Sequence, residues 1–273
     1  MKPRTLLPAS FAAIIMIVSV AWLGAARVAA TAPGQEQAAP AAVSPQTPAP
    51  PSKVLSLEER ADIFMARKNY GEAADYYQRA LKQLNFKNAA LWNKLGITYQ
   101  QQMKYHGARR AYSKATHLKK DFAEAWNNIG TTYFMESKFG KSVKYYKRAI
   151  EAKGNDAAFH LNLGTSYYHL KNYQEAVDEY RVALGLDPNV LTQQSLLGTV
   201  IRAPKGDVQF YFYMAKAFAL NGQAEEAVRY LKRALEDGFR DQKRIEEDPD
   251  FDKIRQHPAY VELMKNPPVP IRD

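Results

Sequence analysis

The sequence predicts an all-α fold, a solenoid built from stacked helix–turn–helix repeats. Three observations carry that expectation. The octets WNKLGITY at 92–99, WNNIGTTY at 126–133 and HLNLGTSY at 160–167 each begin 34 residues after the one before. Apolar residues inside each copy recur at the 3.6-residue period of a helix rather than the two-residue period of a strand. A short polar break at a constant offset divides each copy into two such stretches.

The register extends well beyond the octets. Gly96, Gly130 and Gly164 are 34 residues apart, as are Tyr112, Tyr146 and Tyr180, and Ala115, Ala149 and Ala183. A step of 35 residues back meets Ala61, Phe64, Ala73, Tyr77 and Ala80. A step of 51 forward from the third copy meets Ala215, Phe218, Ala227, Leu231 and Ala234, one period plus a 17-residue insertion. Five repeats result, at 54–88, 89–122, 123–156, 157–190 and 208–241, with the insertion at 191–207. In the third repeat Trp126, Ile129, Gly130 and Tyr133 share one face of a first helix. Val143, Tyr146, Ala149 and Ile150 share a face of a second helix, after the break ESKFG at 136–140. One such antiparallel pair cannot bury its apolar face, whereas stacked pairs bury a continuous seam. Small residues, Gly130, Ser142 and Ala149, stand where backbones must approach closely. Emptying the seam, as in Tyr146→Ala, is expected to cost about 3–5 kcal/mol.

The set Trp, Leu-Gly, Tyr, Ala, aromatic, Ala at these offsets resembles the tetratricopeptide repeat. LWNKLGITYQQQMKYHGARRAYSKA and FHLNLGTSYYHLKNYQEAVDEYRVALGLDP fit the pattern closely, and the likeness covers 54–241. Pro188 holds the proline that often ends the unit; Lys120 and Gly154 replace it in the two preceding copies, and the first and fifth copies are more degenerate. The resemblance implies a right-handed superhelical solenoid whose first helices line a concave, partner-binding groove. It implies that the basic second-helix stretches 108–120 and 141–153 lie on the convex side. Carried onto this chain, the groove positions of the second repeat are Asn93, Lys94, Ile97 and Gln101. Those of the third are Asn127, Asn128, Thr131 and Met135; of the fourth, Leu161, Asn162, Thr165 and His169; of the fifth, Phe212, Tyr213, Lys216 and Leu220. A carboxamide both donates and accepts, so it can pair with any peptide backbone. Asn128 and Asn162 match the asparagine ladder of arrays that hold extended peptides, while Lys94 and Tyr213 depart from it.

Outside the repeats, Lys2 and Arg4 precede an uncharged apolar run at 5–26 that ends in small residues. This reads as a secretory signal over 1–30, with an uncleaved membrane anchor as the alternative. Either places the remainder outside the cytoplasm, periplasmic or secreted. Residues 31–53, rich in Ala, Pro and Gln, read as a disordered spacer. The 191–207 insertion reads as a helix extension and exposed loop that interrupts the superhelix. Asp248-Pro249 and His257-Pro258 announce two short helices in a capping segment and tail, 242–273.

The chemistry is sparse. The chain has no cysteine, so disulfides and thiolate chemistry are excluded. Its net charge of +10 falls to +7 without the first 30 residues and is too diffuse to argue nucleic-acid binding. There is no phosphate loop, GxSxG or HExxH. Of the five histidines, His160 replaces a tryptophan of the repeat and reads as a packed side chain. His169 faces the groove, and neither has a metal-binding companion at helical spacing. The expectation is an exported, non-enzymatic scaffold without cofactor or metal that binds a protein or peptide through its groove. The alternative is a self-associating or envelope-assembly factor.

Overall fold

The computed structural model describes residues 54–191 and 207–270. All regular elements among them are helical. Ten helices form five antiparallel pairs: α1 Leu57–Ala66 with α2 Tyr70–Gln83, α3 Ala89–Gln101 with α4 Tyr105–Leu118, α5 Ala123–Met135 with α6 Phe139–Ala152, α7 Ala157–His169 with α8 Tyr173–Leu186, and α9 Val208–Leu220 with α10 Ala224–Glu236. Each second helix also packs on the next first helix, so the pairs stack in chain order. The array closes with α11 Gln242–Glu247, a 3₁₀ helix Pro249–Ile254, and α12 Pro258–Lys265. Among the described residues no helix is long and apolar enough to cross a membrane. The apolar run at 5–26, the spacer and most of the insertion lie outside the described residues.

The turn inside each pair is the same device five times. Lys68, Met103, Ser137, Lys171 and Gly222 occupy equivalent positions and all have φ between 58° and 72°. The next residue's N–H then reaches back to the carbonyl of the first-helix aromatic: Asn69 to Phe64, Lys104 to Tyr99, Lys138 to Tyr133, Asn172 to Tyr167 and Gln223 to Phe218, at 2.9–3.0 Å. This bond satisfies a carbonyl the helix end would otherwise leave open. Only the fifth repeat uses glycine there. The break expected at 136–140 is correspondingly shorter, because Phe139 and Gly140 already belong to α6.

The repeated glycines are explained by the repeated tyrosines. A Cβ on Gly96, Gly130 or Gly164 would lie 2.4, 2.7 or 2.7 Å from the ring of Tyr112, Tyr146 or Tyr180. Each ring therefore lies directly on a first-helix backbone, and all three tyrosines are fully buried. In the fifth repeat both members change together, to Ala215 and Leu231, and both remain buried.

One expectation about the C-terminal third is corrected and another is met. The insertion was expected to break the stacking, yet α9 packs directly on α8. Asp207 caps α9 through Phe210 N–H at 3.1 Å and accepts the Tyr168 hydroxyl at 2.6 Å. Tyr213 stacks on Tyr173 with ring centroids 4.4 Å apart, so the seam continues across the added residues. In the capping segment Pro249 and Pro258 start the two short helices expected of them, and α11 precedes that pair. Asp248 and His257 cap the 3₁₀ helix and α12 from their side chains. Phe251, Ile254, Tyr260 and Leu263 are buried against the last repeat.

Candidate partner-binding face

The side chains singled out on the first helices fall into three groups. The asparagines are paired with one another across neighbouring repeats. Asn128 Nδ2 donates to Asn93 Oδ1 at 3.1 Å, and Asn162 Nδ2 donates to Asn127 Oδ1 at 2.9 Å. The pairs run diagonally, each joining the later asparagine of one repeat to the earlier position of the repeat before. They differ in exposure. Asn127 and Asn162 are 3% and 0% exposed, so that pair fastens α5 to α7 inside the seam. Asn93 and Asn128 are half-buried. After their mutual bond, Asn93 retains its amide group and Asn128 its carbonyl oxygen, a donor and an acceptor side by side.

The second group is committed to the fold. Thr131 and Thr165 are buried. Their hydroxyls donate to the carbonyls of Asn127 and Leu161 and accept from Tyr146 and Tyr180 at 3.2 and 3.4 Å. Leu161 and Phe212 are core residues. Tyr213 and Lys216 are buried because the C-terminal segment lies over them. Lys216 Nζ meets Asp248 and Asp250 at 2.9 and 2.8 Å, and Arg244 donates to the Tyr213 hydroxyl at 3.2 Å. Burial alone would lower the Lys216 pKa, but hydrogen bonds to Asp250 and Asp248 outweigh it and hold the ammonium above its ordinary value. These positions do not present a surface to a partner. Lys94 is intermediate: it reaches back to Glu58 and Asp62 of the first repeat, both at 2.8 Å, and its side chain stays 35% exposed. Asp62 also accepts the Tyr77 hydroxyl at 2.5 Å.

The third group is open. Gln101 and His169 are exposed, as is Met135 at 53%; Ile97 and Leu220 are half-buried. His169 stacks face to face on Phe139 at 4.5 Å and meets Phe134 edge-on at 5.2 Å. Burial of its ring holds its pKa below the usual histidine value, so it is a neutral aromatic donor–acceptor at pH 7. Phe134 and Phe139 were not among the expected groove positions. Their signal is an aromatic on each side of the turn at 136–138, an arrangement that gives the neighbouring repeat's histidine a platform. His160, by contrast, is buried in the seam as expected. Its two ring nitrogens meet Glu179 Oε2 at 2.7 Å and the Gly154 carbonyl at 3.1 Å. Two acceptors call for two N–H donors, the imidazolium form, and the Glu179 hydrogen bond raises the pKa accordingly.

The arrangement thus offers backbone-like hydrogen bonding at Asn93 and Asn128 and an aromatic and thioether patch at Phe134, Met135 and His169.

Comparison with known proteins bears on the scaffold. The sequence model of the tetratricopeptide repeat matches residues 37–88, 93–157 and 136–190, more than half of the chain. A second model of the same repeat matches 209–237. No curated protein matches the chain. Among solved structures, a crystal structure of MamA is 24% identical, with 65% of this chain and 93% of that one covered at a TM-score of 0.47. MamA from Desulfovibrio magneticus RS-1 is 13% identical over 66% and 92% of the two chains, with a TM-score of 0.48. YrrB, described as a TPR protein with an unusual peptide-binding site, is 17% identical over 77% and 90%, with a TM-score of 0.45. The matched segments span the helix pairs from α1 to α10, and the chain belongs to the tetratricopeptide repeat family.

Proposed function

We propose that this protein is an exported, non-enzymatic scaffold that holds an extended segment of a partner protein along the first-helix face of its second to fourth repeats. The half-buried Asn93–Asn128 pair carries this reading. Its remaining amide and carbonyl match the C=O and N–H of a peptide unit, which lets the face grip backbone whatever the partner's sequence. The exposed Met135 and His169, with the half-buried Phe134 beside them, supply apolar contact farther along the same face, where a partner's side chains would add affinity. Its far end is closed by the chain's own C-terminal segment, so a bound segment would enter from the side of the first repeats. Export is supported by the basic start, apolar run and small residues of 1–30.

Affinity capture with the full chain from a native envelope fraction, followed by mass spectrometry, tests the binding. The double variant Asn93→Ala plus Asn128→Ala removes both members of the pair, so the fold should be little affected. Loss of the captured protein with unchanged circular dichroism supports the reading; an unchanged captured set refutes it. Sequencing of the mature N-terminus tests export, with a start near Thr31 expected and a start at Met1 excluding cleavage.

A further inference from the structure

On the second-helix side of the array, a cleft of about 540 Å³ opens between α2, α3 and α4. Its origin is visible by comparing equivalent positions of consecutive repeats. In the third repeat Tyr133 of α5 is enclosed by three large side chains. Tyr145 stacks on it at 5.3 Å, Arg109 covers it at 4.5 Å and Lys141 at 5.5 Å. Around Tyr99, its counterpart in α3, the same three positions hold Ala111, Ala74 and Gly107. The Tyr145 position is aromatic in the first and fifth repeats too: Tyr76 stacks on Phe64 at 5.3 Å and Tyr230 on Phe218 at 5.0 Å. In the fourth repeat it is Glu179, which is engaged by His160. In the second repeat Ala111 leaves the slot beside Trp92 and Tyr99 empty, with Phe86, 51% exposed, stacked at its edge.

The rim is cationic. Arg79, Lys82, Arg110 and Lys114 line it with a single carboxylate, Asp75, which pairs with Arg79 at 3.5 Å. Lys82, Arg110 and Lys114 have no ion-pair partner among the described residues. We infer that this cleft binds an aromatic side chain carried on an acidic segment of a partner protein. The slot takes the ring in the place that Tyr145 fills in the next repeat, stacked between aromatic faces. The flanking carboxylates face three cations that no other described residue pairs with. The site is separate from the first-helix face, since Ala111 lies on α4 while Asn93 and Asn128 lie on first helices.

The probe is a blocked, dye-labelled pentapeptide with one tyrosine between two pairs of glutamates, titrated into the full chain by fluorescence anisotropy at low salt. Saturable binding is expected, at least tenfold weaker when alanine replaces the tyrosine and at least tenfold weaker when lysines replace the glutamates. Ala111→Tyr should fill the slot from within and weaken binding at least tenfold, while the melting temperature stays equal or rises. Arg110→Glu with Lys114→Glu, both on the surface, should weaken it as much, so the test survives if Ala111→Tyr fails to fold. Asn93→Ala with Asn128→Ala should leave it unchanged, which separates this site from the one proposed above. Equal binding of the alanine or lysine peptide, no binding to the wild-type chain, or undiminished binding to a folded Ala111→Tyr chain would overturn the inference.

Discussion

The first-helix face is built from one repeated pattern, yet its two ends have opposite fates. In the second and third repeats Asn93, Lys94 and Asn128 remain partly exposed, tied only to one another or to the neighbouring repeat. In the fifth repeat Tyr213 and Lys216 lie under Arg244, Asp248 and Asp250 of the C-terminal segment. The difference teaches that a position on the inner side of a repeat is a binding position only where the chain has not claimed it. At the C-terminal end the chain supplies its own occupant, an acidic turn on a lysine. Farther back, nothing of the described chain does so.

That contrast is open to test, beginning with the largest effect. Lys216→Ala would leave two carboxylates facing each other beneath the cap, and breaking a buried pair of this kind costs about 3–5 kcal/mol. Lys94→Ala removes a pair that is a third or more exposed on both sides, expected to cost no more than about 1 kcal/mol. Urea midpoints of the two variants measure the difference, and equal losses would erase the distinction between a sealed and an open end. Next, Asn162→Ala strands the buried Asn127 carboxamide and should cost about 1–3 kcal/mol, whereas Asn128→Ala should be nearly neutral for folding and felt only in partner binding. Met103→Gly relieves a left-handed residue in the open region and should stabilise by about 1 kcal/mol, read from the same midpoints. The smallest effect is a dependence on pH. Glu179 raises the His160 pKa in the folded chain, so its contribution is full below the ordinary value of about 6.5 and fades as pH rises through the folded value. The stability gap between wild type and His160→Gln should therefore be wider at pH 5.5 than at pH 8.5.

The helix pairs were legible in the sequence because close packing imposes the same side chains at every period. Gly130 under Tyr146 is the clearest case: a contact that no Cβ fits must be restated in each full copy. The turns were only half legible, since four of the five left-handed positions carry Lys, Met or Ser rather than glycine, and the backbone bond that compensates leaves no mark on the sequence. The asparagines misled in part. Asn127 and Asn162 are 35 residues apart, as are Asn93 and Asn128, and that one-residue offset from the period was the available sign of diagonal pairing between first helices. The cover over Lys216 depends on residues more than thirty positions away, which no local pattern announces. The empty slot beside Tyr99 was present in the sequence as three small residues, Ala74, Gly107 and Ala111, but its meaning appears only once Tyr145, Arg109 and Lys141 are seen around Tyr133.

Site-specific photocrosslinking in cells that make the protein tests the central claim most directly. A benzophenone side chain is placed at position 101 or 135 on the open face and, separately, at the exposed Lys144 on the second-helix side. The expected result is a partner adduct from 101 and 135 and none from 144. Adducts from 144 alone would contradict the claim that the open first-helix face holds the partner.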